Sequence, residues 1–259
     1  MLIPVTDYTQ VAQAVNGLLL QSGATNGIPD RERLEKEISQ GSLIMEQGDF
    51  GLLLLRRRPK WDLLTFLLKK GESLQNWRPE RPTVAELPFR RETDPIGAVA
   101  DSLRSMGFQM VLKRLRYTRK GKTGEVFPAH GVEECQEAEN SHRLLEECFS
   151  PLTGCVPSQE EWDALVAKGQ ILTLPGGILH YESKGNTTEL RHLAVAQTRR
   201  GRGFGRLLVG AYLNRCGTGL SRVWTGEENV AARRLYESFG YEADGWTSRV
   251  YYFDKEEEP

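Results

Sequence analysis

Two periods of apolar residues divide the chain into elements. Behind Asp7, Val11, Val15, Leu18 and Leu19 recur every three or four positions, which predicts an amphipathic helix with an aspartate cap. Leu34 and Ile38 repeat that spacing after Pro29, and Gly41 closes the helix. The pattern then shortens: 42–46 and 50–55 read as a hairpin across Gln47-Gly48-Asp49, and 63–69 as a third strand. The second half repeats this order. Helical spacing at 140–149 and 158–168 precedes a hairpin of 171–174 and 178–182 that turns at Pro175-Gly176-Gly177. A strand at 190–195 and a helix at 206–215 follow.

Between that strand and helix stands Arg199-Arg200-Gly201-Arg202-Gly203-Phe204-Gly205. Glycines at alternate positions let successive backbone N–H groups converge, and the positive end of the next helix adds to their field, so the segment is a candidate anion cradle with phosphate as its guest. It is not a Walker loop, which ends in Gly-Lys-Ser/Thr, nor a dinucleotide fingerprint, which needs a small residue where Arg206 stands. Farther on, Asn229 opens and Gly240 closes a helix that holds Ala232, Leu235 and Tyr236.

Arg200-x-x-Gly203-x-Gly205 followed by Asn229-x-x-Ala232-x-x-Leu235-Tyr236-x-x-x-Gly240-Tyr241 resembles the GCN5-related N-acetyltransferase (GNAT) superfamily, over about 124–253. The resemblance implies that the first segment holds the pyrophosphate of acetyl-CoA, with cofactor contacts at Leu193, Ala194, Val195, Arg200, Gly201, Arg202, Gly203, Phe204, Gly205, Asn229, Ala232 and Tyr236. It implies further that a bulge at the end of Leu193-Ala194-Val195 frees the Val195 N–H for the thioester carbonyl, that Tyr236 protonates the departing thiolate, and that Asn229 touches the pantetheine arm.

An attacking ammonium with a pKa of about 10.4 must first lose a proton, so a base or water chain is needed. Glu189 matches the catalytic glutamate of histone-type members and is the leading candidate. Period-two alternation places Glu189, Arg191, Leu193 and Val195 on one face and His192 on the other, which leaves His192 second. Trp246, Arg249 and Tyr251 fall on the last strand and read as sheet packing.

The first half carries a fainter copy. Ala100-x-x-Leu103-x-Ser105-Met106-Gly107-Phe108 echoes the helix of Tyr236 without the tyrosine. Between Lys69 and Thr83, Trp77, Pro79 and Pro82 leave no room for a glycine-rich loop and helix. The expectation is a degenerate or accessory α/β domain at 1–122 and a catalytic domain at 123–259, joined near the polar 119–124.

Composition narrows the functions. A formal net charge of −1 argues against generic nucleic-acid binding, and the basic clusters at 56–60 and 113–122 read as solvated hairpin ends and strand edges. No apolar run reaches the ~18 residues of a membrane span, so no membrane partner and a cytoplasmic location are expected. The four cysteines include no CxxC pair, which points to reduced thiols and no metal. The combined expectation is a mixed α/β fold: a mostly antiparallel twisted sheet flanked by helices, in tandem with a reduced copy. The expected protein is a monomer or homodimer that acetylates a small-molecule, amino-acid or peptide amine by direct attack in a ternary complex. Two alternatives stand beside it, a non-catalytic acyl-CoA sensor or scaffold and a transferase of a larger acyl group.

Overall fold

In the computed structural model, which describes residues 2–74, 77–90 and 96–255, strand β1 (Ile3–Pro4) leads into helix α1 (Tyr8–Leu18). A capping box fixes the helix start: the Asp7 carboxylate accepts from the Thr9 N–H at 2.6 Å, and Gln10 Oε1 accepts from the Asp7 N–H at 3.2 Å. Strand β2 (Ser22–Thr25) precedes helix α2 (Arg31–Ser39), whose cap is Asp30 rather than Pro29. Strands β3 (Leu43–Gly48), β4 (Gly51–Arg57) and β5 (Asp62–Lys69) form the expected meander, each a residue or two from the predicted bounds. Strand β6 (Thr83–Phe89), helix α3 (Ile96–Ser105) and strand β7 (Gln109–Lys120) follow.

The later elements are strand β8 (Glu133–Glu134), helices α4 (Ala138–Cys148) and α5 (Gln159–Ala167), and strands β9 (Ile171–Leu174), β10 (Gly177–Lys184) and β11 (Thr187–Val195). After them come α6 (Phe204–Cys216), β12 (Leu220–Gly226), α7 (Val230–Glu237) and β13 (Glu242–Phe253). The chain makes two compact units, Met1–Lys113 with Trp246–Pro259, and Arg114–Gly245, so β7 and β13 each run across the division.

In the first unit the strand order is β1–β3–β4–β5–β6–β13, and apolar side chains pack on both sheet faces. Val11, Leu18 and Leu34 of α1 and α2 cover one face with Leu52 and Leu54, and Val99 and Leu103 of α3 cover the other with Leu53, Leu55 and Phe66. The second unit uses the same plan in the order β13–β7–β12–β11–β10–β9–β8. Leu145 and Trp162 of α4 and α5 pack with Ile178 and Ala194 on one face, while Leu208, Tyr212 and Tyr236 of α6 and α7, with Phe239 just beyond α7, pack with Leu179, Leu190 and Val223 on the other.

The repeat extends to a parallel connection in each unit. β5 and β6 pair in parallel over Asp62–Leu64 and Thr83–Ala85, and β11 and β12 do so over Thr187–Leu190 and Leu220–Val223. In the second unit α6 makes the crossover. In the first, 70–82 carries no helix among the described residues, and 75 and 76 lie outside them. α3 and α7 each end before a glycine of positive φ, Gly107 at +94° and Gly240 at +78°, and an aromatic residue follows each.

The basic run 113–122 departs from expectation. Instead of an edge, it contributes most of β7, an interior strand between β13 and β12. Leu115 and Tyr117 alternate into the core, and the arginines between them are held by partners. Arg119, 7% exposed, donates to the Phe239 carbonyl at 2.6 Å and pairs with Glu125.

Candidate functional site

β11 and β12 start side by side and then part. Their pairing stops at Leu190 and Val223, although β11 continues to Val195 and β12 to Gly226. β10 stays paired with the other edge of β11 as far as Val195. The Ala196 N–H donates to the Gly176 carbonyl at 2.8 Å, which sets the phase of that antiparallel ladder. Val195 and Leu193 therefore turn their N–H groups away from β10, toward the gap that β12 has left.

At the mouth of this gap lies the glycine loop. Gly201 has φ +75° and Gly203, the residue that begins α6, has φ +83°, conformations that favour glycine. The first-turn N–H groups of α6 have no partner within the helix, so the loop and helix together present donors to an anion. Arg200 Nε donates to the Val195 carbonyl at 3.0 Å, and Arg202 is exposed. Arg199 instead packs over the β9–β10 turn, where a Cβ on Gly176 would lie 2.9 Å from its Cγ.

Across the gap, Asn229 caps α7 through a bond from the Ala232 N–H to its Oδ1 at 3.1 Å. Tyr236, one helical turn beyond Ala232, is 4% exposed, and its ring centroid lies 5.7 Å from that of Tyr241. Burial, then Tyr241, pushes its phenol pKa up, so the hydroxyl keeps its proton. No hydrogen bond to that hydroxyl is made among the described residues.

The predicted alternation of β11 is wrong at one point. His180 pairs with His192 but Tyr181 pairs with Leu190, so Arg191 is an extra, bulged residue. The bulge lies in mid-strand rather than at the end of Leu193-Ala194-Val195, and it is the parting of β11 from β12 that turns Val195 N–H to the gap. The extra residue also shifts the faces. Glu189 pairs with Glu182 and shares the α4 face with His180 and His192, whereas Leu190, Leu193 and Val195 belong to the α6 side. Period-two reasoning fails here because a bulge leaves no mark in the hydrophobic pattern.

On the α4 face Glu189 accepts from Arg191 at 2.5 Å, with Glu182 at 3.8 Å from the same guanidinium. His192 Nε2 lies 2.7 Å from the Gly154 carbonyl and must donate to it, so His192 Nδ1 accepts from His180 Nδ1–H at 3.0 Å. Both nitrogens of His192 are thereby engaged, which makes it a structural residue holding the α4–α5 loop. His180 Nε2 is buried without a hydrogen-bond partner, with Glu182 Oε1 3.8 Å away. Burial lowers both: His180 to about 2, with His192 and Arg191 adding to the effect, and His192 to about 4, with Arg191 and Arg114 adding and the bond to the Gly154 carbonyl opposing.

The pair gives a pH prediction. An unfolded imidazole titrates near 6.5, so below that pH the unfolded chain takes up protons that the folded one refuses. Stability from the pair is complete above pH 6.5 and is lost as pH falls, down to about 4 for His192 and about 2 for His180. Between pH 7.5 and 5.0 the wild type is expected to lose about 2–4 kcal/mol more than the His180→Leu/His192→Leu variant, as read from urea midpoints. Equal losses would count against a neutral buried pair.

Among the described residues there is no group of three His, Cys, Asp or Glu side chains placed to hold a metal, and no helix is long and apolar enough to cross a membrane. The cysteines Cys135, Cys148, Cys155 and Cys216 are free thiols.

Residues 124–241 match the model of the Acetyltransferase (GNAT) family. A GCN5-related N-acetyltransferase from Sphaerobacter thermophilus is similar in structure, with TM-score 0.61 and 13% identity over 97% of this chain and 95% of its own. A tandem GNAT protein from the clavulanic acid biosynthesis pathway gives TM-score 0.59 and 11% identity over 98% of both chains. An acetyltransferase of the GNAT family from Colwellia psychrerythraea gives 0.55 and 12%, again over 98% of both. At such identities the structural likeness speaks for the fold. No curated protein of matching sequence was found.

Proposed function

We propose, from the premise that residues 124–241 form a domain of the GNAT acetyltransferase family and make the chain a transferase of that type, that the second unit acetylates a primary amine with acetyl-CoA. The reading rests above all on the parting of β11 and β12 beside the glycine loop: one edge of β11 is left for an extended amide-bearing arm, with an anion cradle at its mouth. The pyrophosphate lies on residues 200–205, held by loop and helix N–H groups. The pantetheine amides run along the gap edge of β11 at Leu193, Ala194 and Val195, near Asn229 and Ala232. The Val195 N–H takes the thioester oxygen as it becomes an oxyanion.

The amine attacks the carbonyl carbon directly, and a C–N bond forms as the C–S bond breaks. Glu189, on the α4 face with Arg191 orienting it, takes the ammonium proton through a relay of waters, since Val195 lies six residues farther along β11. Tyr236, kept protonated by burial, gives its proton to the departing thiolate.

The first unit has no part in cofactor binding. It has no glycine loop between β5 and β6 among the described residues, and its own gap is filled. β4 holds one edge of β5 throughout, and β2 takes the edge that β6 leaves, pairing with Leu67, Leu68 and Lys69. Asn26 completes the closure: its Nδ2 donates to the Leu64 carbonyl at 2.9 Å and its Oδ1 accepts from the Phe66 N–H at 2.8 Å. Gly23 allows the close approach, since a Cβ there would lie 2.7 Å from Lys70 Cα.

The test is a screen of amines and amino acids with acetyl-CoA, read as release of free CoA thiol. Turnover of at least one amine supports the proposal. Tight acetyl-CoA binding with no turnover across the panel would favour an acyl-CoA sensor.

A further inference from the structure

Two donors from different strands meet on adjacent carbonyls of the α4–α5 loop. Arg114 of β7 donates to the Thr153 carbonyl, and His192 of β11 donates to the Gly154 carbonyl at 2.7 Å. β12 lies between those strands, so the two anchors start about 10 Å apart across the sheet. Register fixes their level. Arg114 pairs with Gly226, three residues past Val223, and His192 is two residues past Leu190; Leu190 and Val223 are the last partners of β11 and β12. Both anchors therefore stand beside the gap, and the loop crosses it on the α4 face.

Other contacts keep the loop in place. The Phe149 ring stands edge-on to His192 with centroids 5.0 Å apart, the Cys155 thiol is within electrostatic reach of Arg191, and His142 Nε2 donates to the Pro157 carbonyl at 2.8 Å. Cys155 has φ +50°, the one non-glycine residue of positive φ among the described residues. Such a conformation is costly and persists where the surroundings enforce it. His192 stands midway along β11 between Glu189 and Val195, three residues and roughly 10 Å from each. In the reaction described above, the amine meets the thioester carbonyl near Val195 and its proton travels toward Glu189. The loop covers the stretch between them.

Resting on that acetyl-transfer reading, we propose that Thr153-Gly154-Cys155 is the wall against which the acceptor amine is seated, and that His192 and Arg114 are positioning residues that hold this wall across the gap. Neither touches the reacting atoms; they act through two backbone carbonyls. The cofactor arm lies along the edge of β11 and needs neither anchor.

The test uses the full chain, acetyl-CoA and the amine turned over fastest in the screen. In Arg114→Met the KM for that amine should rise about 10-fold or more, while kcat changes less than about threefold and acetyl-CoA Kd less than about twofold, since seating is lost and chemistry is kept. Arg114→Lys, which still donates, should recover most of the loss. His192→Leu should behave as Arg114→Met, and His192→Gln, whose amide can both donate and accept, should lie near wild type. An amine KM unmoved in both Arg114→Met and His192→Leu would overturn the inference, as would acetyl-CoA affinity falling in step with that of the amine. Should His192→Leu not fold, Arg114→Met and its lysine rescue decide. A wild type that binds no acetyl-CoA, or turns over no amine, would remove the acetyl-transfer reading and the inference with it, a result distinct from any of the variants'.

Discussion

Gly203→Val is expected to weaken acetyl-CoA binding by more than about 100-fold while leaving the fold intact. The expectation comes from geometry rather than crowding. Gly203 begins α6 with φ +83°, and a Cβ there would meet nothing within 4 Å, so valine would clash with no neighbour in the protein. It would cost about 1–3 kcal/mol in backbone strain and place a branched side chain where the backbone must approach phosphate. Gly185→Val is the matching control, because Gly185 has φ +59° and equally open surroundings but lies in the β10–β11 turn. Both variants should lose some melting temperature, and only Gly203→Val should lose the ligand. Wild-type affinity in Gly203→Val would separate the loop from cofactor binding.

Tyr236→Phe is expected to lower kcat by about 10²–10⁴-fold with acetyl-CoA Kd changed less than about twofold, since only the hydroxyl is removed and it acts as the thiolate leaves. The ring is 4% exposed and packed beside Tyr241, surroundings that phenylalanine can share. The lost hydroxyl leaves no hydrogen-bond partner stranded among the described residues. Steady-state kinetics on a verified acceptor make the measurement. An unchanged kcat would leave Tyr236 as a core residue only.

The parts of the site made by local chemistry were legible in the sequence. Glycines at 201 and 203 require positive φ, Asn229 caps its helix, and Gly240 ends it, because each signal acts within one turn of chain. Features made by strand pairing were not. Arg191 as a bulge, and with it the true face of Glu189, depends on which residues of β10 stand opposite, a fact that alternation along β11 alone does not contain.

The basic run of β7 illustrates how charge misleads. Arginines at alternate positions suggested an edge, but Leu115 and Tyr117 between them carry the core face, and ion partners let the arginines stay inside the sheet. That alternation was available and outweighed by charge. In the first unit the expectation of no glycine-rich loop came from the prolines and the short length of the segment. The closure of its gap by β2 and Asn26 was not readable, since β2 reaches β5 across some 40 intervening residues. The return of Trp246–Pro259 to the first unit is equally non-local, and no shift in composition marks it.

The central claim is that one unit of this chain is built to hold acetyl-CoA and the other is closed to it. Titration calorimetry of acetyl-CoA into the full chain tests this most directly. The account predicts a single saturable site per chain, with CoA competing for it. Two equivalents bound, or no binding at all, would contradict it.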